Sequence, residues 1–287
     1  MTISFCVGTG RCGTTFLAKL AEMEPDVAAS HERLRLPATF HMYCKWHGIA
    51  VDPEGFLIDR EAAIKEDLQR RRVSFEASAL LSHSLVELSE RFGARFLLLV
   101  RNPIRTVASF AVRGWFLDPI PWRDPSLPPT IRDGVEPRHF FGRNLPRGAE
   151  FQRWSQLSQV GKIAWFWHAR NRDILDQFRR LPASHVRIAR LEDLDFDNYV
   201  ELAPFLGWTP TVDRAQFDEL ARSRPNAGAP ASYDWDERAA AEVEAEVAPV
   251  ATALGYEHRI AQLRSGDARA PLPTLEQILL TPTARSM

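Results

Sequence analysis

Gly8-Thr9-Gly10-Arg11-Cys12-Gly13-Thr14-Thr15 is the stretch on which the reading of this chain turns. The apolar run Ile3–Val7 before it predicts a buried strand. Phe16, Leu17, Leu20 and Ala21 after it share one helical face and predict a helix over Thr14–Met23. Glycines between a strand and a helix let the backbone turn tightly and approach an anion, while successive N–H groups at the helix start point at its oxygens. Thr14 and Thr15 add hydroxyl donors and Arg11 adds a full positive charge. Hydrogen bonds to charged groups contribute ~1.5–3 kcal/mol each. The bland alternative is a glycine turn that only connects the two elements.

The spacing approaches the nucleoside-triphosphate loop G-x-x-x-x-G-K-[ST], but Thr14 stands at the lysine position and the cation sits at Arg11. A small-metabolite kinase of that class also needs an acidic metal ligand after a strand. The run Phe96–Val100, the clearest strand in the chain, ends instead in Arg101. Pro103 opens the next helix, where proline is tolerated, and Ser109 follows about two turns in. An arginine at the carboxyl end of a parallel strand lies where such sheets bind ligands; the alternative is a structural ion pair. Further strands are expected at Val27–Ala29, Val73–Glu76 and His185–Ala189. Helices are expected at Arg60–Arg70, Leu81–Phe92, Trp154–Arg180, Asn198–Leu206 and Asp236–Leu254. This alternation predicts an α/β fold: one domain with a central parallel sheet of four to five strands and helices on both faces.

The stretch Arg11-Cys12-Gly13-Thr14-Thr15-Phe16 resembles the 5′-phosphosulfate loop of the sulfotransferases that use 3′-phosphoadenosine-5′-phosphosulfate (PAPS), written K-S-G-T-T-W or R-S-G-T-T. Arg101-Asn102-Pro103, with Arg105 and Ser109, is similar to their 3′-phosphate signature R-[N/D]-P-x-x-R-x-x-S. The resemblance implies a P-loop-like sulfotransferase fold and PAPS as co-substrate, with no metal. It implies that Gly10, Arg11, Cys12, Gly13, Thr14 and Thr15 hold the 5′ side, that Phe16 stacks on adenine, and that Arg101 and Ser109 hold the 3′-phosphate. Arg11 takes the role of the family's lysine, stabilising charge as the sulfuryl group leaves. Val186–Leu194 resembles the family's V-x-R-Y-E-D-L segment with Leu191 in place of tyrosine, a packing sequence that adds no chemistry of its own.

Sulfuryl transfer to an alcohol needs a base for the acceptor proton. Ser30-His31-Glu32-Arg33 follows the second expected strand, and Glu32 resembles in position the catalytic glutamate of tyrosylprotein and several bacterial sulfotransferases. Glu32 is the expected base, with His31 as its rival; Glu76 and His83 are the other titratable groups of that region. Against this stand a salt bridge from Glu32 to Arg33 or Arg35, and a purely structural His31. Residues 113–150, with seven of the chain's twenty prolines, interrupt the strand–helix rhythm and are the expected acceptor-side lid. Trp154, Trp165, Trp167 and His168 form either a pocket wall or ordinary core.

The composition is that of a globular protein: 45% hydrophobic, 25% charged, net charge −1, which gives no general attraction to nucleic acid or anionic membrane. Cys6, Cys12 and Cys44 make neither a disulfide framework nor a CxxC pair, so a reducing, cytoplasmic setting is expected. No signal peptide, bilayer-length apolar run or His/Cys cluster with metal-ligand spacing is read. The expected organisation is a catalytic domain over 1–263 and a polar, proline-rich tail over 264–287. The expected partner is a small-molecule, glycan or peptide acceptor bearing a hydroxyl or amine. The rivals are a non-catalytic nucleotide-binding protein and a P-loop kinase.

Overall fold

The computed structural model describes residues 1–117, 143–223, 233–256, 259–260 and 270–283. Most of the expected acceptor-side segment, 118–142, lies outside the described residues. The strands are β1 (Thr2–Val7), β2 (Val27–His31), β3 (Val73–Ala77), β4 (Arg95–Val100) and β5 (Val186–Arg190). They form one five-stranded parallel sheet in the order β2-β3-β1-β4-β5. The chain runs to one edge through β2, returns to β3 beside β1, then crosses to the other side at β4. The crevice between the carboxyl ends of β1 and β4 is therefore the topological switch point, where such sheets bind ligands.

Both faces of the sheet are covered, as an all-parallel sheet requires. Cys6, Val73, Phe75, Leu97 and Leu99 pack on one face with helices α1 (Thr14–Glu22), α8 (Phe196–Leu206) and α9 (Arg214–Ser223). Phe5, Val7, Phe96, Leu98 and Val100 pack on the other. That face is covered by α2 (Arg35–His47), α3 (Pro53–Arg70), α4 (Leu85–Phe92), α5 (Pro103–Ala111), α6 (Ala149–Ser155), α7 (Gln159–Phe178) and α10 (Glu237–Ala253). Leu97, Leu98 and Leu99 are fully buried, and each contributes roughly 1.5–3 kcal/mol of burial energy.

Several elements differ from expectation for identifiable reasons. The helix expected over Trp154–Arg180 is two helices, because the Ser158 side chain accepts from Gly161 N and starts α7 afresh. Asp52 caps α3 through Glu54 N with Pro53 in the first turn, so that helix begins seven residues before the expected Arg60. Ser78 starts a single 3₁₀ turn at Ala79–Leu81, and α4 begins only at Leu85. Within the expected tail, Thr274 and Gln277 form a reciprocal capping box that starts α11 (Leu275–Leu280), whose Ile278 is fully buried. Trp154, Trp165 and Trp167 lie in the core, with Trp154 and Trp165 edge-to-face at 6.2 Å, rather than lining a pocket. Among the described residues no helix is long and apolar enough to cross a membrane.

Candidate functional site

The loop between β1 and α1 is built on left-handed backbone. Gly10, Arg11 and Gly13 have φ of 82°, 57° and 98°. Side chains are excluded at two of its glycines. A Cβ on Gly8 would lie 2.6 Å from Leu99 O and 2.7 Å from Cys12 Sγ, and one on Gly13 would lie 2.5 Å from Leu191 Cδ1. Gly13→Ala therefore meets both a clash and an unfavourable φ, and is expected to cost about 1–3 kcal/mol. A lowered urea midpoint with an unchanged slope is the measurement that checks it.

Cys12 is fully buried, and burial pushes its thiol up to about 11. Hydrogen bonds from the loop backbone at Gly10, Cys12 and Thr14 oppose that rise, and the thiol stays protonated at neutral pH. Phe16 is half-buried and packs edge-on against Phe217 of α9, ring centroids 5.5 Å apart.

The second motif meets the first. Arg101, just past β4, donates from its guanidinium to the Arg11 carbonyl oxygen at 3.2 Å. Arg11 Nε donates to Ser109 Oγ of α5 at 3.1 Å. The Asn102 side chain caps α5 by accepting from Arg105 N at 3.1 Å. Arg11 is pushed down to about 10, first by burial and then by the neighbouring guanidiniums of Arg113 and Arg101. Like charges crowd this corner of the sheet edge.

A third strand end completes the site. His31 closes β2, and its Nε2 lies 3.3 Å from Thr14 Oγ1 and 3.2 Å from Thr15 Oγ1. Glu32 N donates to Ala77 O, extending the β2–β3 pairing by one residue before the chain turns. Glu32 and Leu34 have φ of 50° and 54°. Arg33, between them, is anchored to Glu66 and Asp67 of α3 at 2.7 and 2.9 Å, and Arg60 donates to its carbonyl at 2.7 Å. The turn is thus held in a conformation its side chains disfavour. The Glu32 carboxylate pairs with Arg35, not Arg33, at 3.1 Å.

The other titratable groups of this region are structural. Glu76 points to the α3 face and pairs with Arg60, while burial raises its carboxyl. His83 is buried, its Nδ1 2.5 Å from Asp173 and its Nε2 3.3 Å from Asn144 Oδ1, and burial lowers its ring pKa.

Two neighbours of the candidate site lay beyond sequence reasoning. Arg170 of α7 is fully buried, donates to Ala79 O at 2.6 Å, and is lowered to about 10 by burial, with Asp173 and Glu32 acting to raise it. It shares its helix face with Ile163, Phe166 and Ile174 but also with Asp173 and Gln177, so no simple pattern singled it out. Glu192 accepts from Asn102 N at 2.8 Å and from the Tyr256 hydroxyl at 2.9 Å, fixing the turn that carries Arg101. With Leu191 packed over Gly13, the segment after β5 touches both the β1–α1 loop and the turn that follows β4, although its sequence reads as packing alone. Among the described residues no group of three or more His, Cys, Asp or Glu is arranged to hold a metal ion.

The sequence matches no protein-family model, and no curated protein matches it. Solved structures do. The sulfotransferase domain of the curacin biosynthetic pathway superposes with a TM-score of 0.50 at 14% identity, covering 89% of this chain and 98% of that one. The sulfotransferase domain of the Synechococcus PCC 7002 olefin synthase superposes with a TM-score of 0.45 at 14% identity, covering 85% and 94%. The chain has a sulfotransferase-like fold.

Proposed function

We propose that this chain is a sulfotransferase that moves the sulfuryl group of PAPS to a hydroxyl or amine of a small-molecule, carbohydrate or peptide acceptor. The observation that carries the reading is the meeting of Arg11, Arg101 and Ser109. Two anion-binding motifs ninety residues apart are joined by hydrogen bonds at the switch point of the sheet. Burial, and after it the neighbouring guanidiniums of Arg113 and Arg101, lower Arg11, and a multiply charged anion relieves that repulsion. The glycine loop is too tight for a Cβ at Gly8 or Gly13, and a glycine turn opening a helix is the kind of backbone that can present N–H groups to an anion. The residues present fit a nucleotide with phosphates on both sides of its ribose.

When bound, PAPS supplies the sulfuryl group and, in the phosphate behind it, the leaving group. Gly10, Cys12 and Gly13 contribute backbone N–H groups and Thr14 and Thr15 their hydroxyls on the 5′ side. Phe16 offers a ring face to adenine. Arg101 and Ser109 hold the 3′-phosphate, and Arg11 stabilises charge that develops on the leaving side. Glu32, at the neighbouring strand end, receives the acceptor proton at its carboxylate.

Calorimetry with adenosine 3′,5′-bisphosphate tests the donor side. Folded wild-type protein is expected to bind it, and Arg101→Ala to lose about tenfold or more, as expected for charge-assisted bonds of ~1.5–3 kcal/mol. No binding by the wild type sinks the reading. Incubation with PAPS and a panel of alcohols and amines, read by mass spectrometry for added sulfate, tests transfer. Binding without transfer to any acceptor points to a nucleotide-binding protein that lacks the reaction.

A further inference from the structure

The two threonine hydroxyls of the phosphate loop share one partner, the Nε2 atom of His31, at 3.3 and 3.2 Å. The parity of the strands puts it there. His31 pairs in register with Ala77, on the sheet face that α1 covers, whereas Ser30 pairs with Glu76 on the opposite face. The location of the ring proton decides what the hydroxyls can do. With the proton on Nδ1, Nε2 accepts and draws hydroxyl hydrogens toward the ring, away from the loop. With a proton on Nε2, the ring donates to the hydroxyl oxygens and leaves their hydrogens free to point at an anion.

We propose that His31 is a proton-linked positioning residue of the loop: donating from Nε2, it turns the Thr14 and Thr15 hydroxyls toward the bound phosphate, whose charge in turn draws a second proton onto the ring. This rests on reading the site as a phosphate cradle. It also takes Nε2 out of the candidates for the base, since that nitrogen is committed to the two loop hydroxyls.

The groups that face the ring are Thr14 and Thr15 from α1, Glu32 from its own turn and Arg35 from α2. In the ligand-free protein burial lowers the ring below its ordinary 6.5; Arg35 reinforces this and Glu32 opposes it. A phosphate at the hydroxyls adds negative charge and raises the ring in the complex. The bound value then exceeds the free one. Affinity is therefore greatest below the free value and falls as pH rises through the bound value. Each unit of difference is about tenfold in affinity across that window.

The full-length protein is titrated with adenosine 3′,5′-bisphosphate by calorimetry, in buffers of different ionisation enthalpy, between about pH 5.5 and 8.5. Phosphate itself titrates near pH ~6, so the informative quantity is the difference between wild type and His31→Gln, whose amide donates but does not titrate. The wild type is expected to take up more protons than His31→Gln, by up to about one per site. His31→Gln is expected to bind more tightly than His31→Leu, with thermal unfolding confirming that both are folded. Equal proton uptake by wild type and His31→Gln overturns the linkage while leaving the nucleotide site standing. Turnover lost in His31→Leu at unchanged nucleotide affinity also overturns it, and returns the ring to a role in proton transfer. Failure of the wild type to bind the nucleotide removes the phosphate cradle, and this inference with it.

Discussion

Replacing Arg11 with alanine is expected to lower kcat by about 10²–10³-fold, the loss typical when one donor to a developing negative charge is removed. The guanidinium is the only side-chain cation projecting from the loop itself, and its Nε ties that loop to Ser109 on the second motif. Its value near 10 means that it stays charged through the neutral range, so the contribution of Arg11 itself should be lost only as pH rises through that region. The folded value lies below that of the free side chain, so folding carries the cost of this charge at every pH below about 10. A bound anion offsets that cost. Nucleotide should therefore raise the melting temperature of the wild type more than that of Arg11→Ala. Arg11→Lys keeps a charge but loses the fork and the bond to Ser109, and an intermediate rate is expected. Steady-state kinetics on the three proteins, with nucleotide affinity measured separately, check the ordering. Equal kcat in wild type and Arg11→Ala would remove Arg11 from the reaction.

The second large effect is expected at Glu32. General-base catalysis supplies about 10²–10⁴-fold, so Glu32→Gln should lower kcat by that order while nucleotide affinity stays within a few-fold. The Glu32–Arg35 contact is partly exposed and contributes ~0–1 kcal/mol, so the substitution should leave the fold intact. Arg35→Ala separates the two roles of the carboxylate. A merely structural ion pair predicts equal effects from either substitution, whereas a base predicts that only the Glu32 change is severe. If Glu32→Gln turns over normally, the proton goes elsewhere.

The legibility of this chain follows from the range of the interactions involved. The positions of the β1–α1 loop and of Arg101 could be read because their signals are local: glycines at a strand–helix junction, and an arginine where β4 ends. Strands β1, β3 and β4 were legible because buried parallel strands are short, mostly apolar runs, whereas the partly buried edge strands β2 and β5 were legible from their place in the strand–helix alternation. Helix α2 was not, because it starts from left-handed Leu34 rather than a capping side chain and leaves Leu36 and Phe40 exposed, which blurs its apolar stripe. Helix α9, polar apart from Phe217 and Leu220, gives a similarly weak pattern. Arg170 beside Ala79 and Glu192 under Asn102 are contacts across about ninety residues, and no spacing rule connects such pairs. Glu32 with Arg35 was foreseeable because three residues separate them.

The left-handed backbone at Arg11, Glu32 and Leu34 bears on how such a protein could be engineered. An L-residue in this conformation carries roughly 1–2 kcal/mol that glycine avoids. A screen rewarding heat tolerance alone would be drawn to glycine at these three positions. Two of those replacements delete the side chains assigned to charge stabilisation and proton transfer, so durable variants should emerge from it inert. A thermostabilisation campaign on this scaffold should hold both codons fixed and look for its gains on the far side of the sheet.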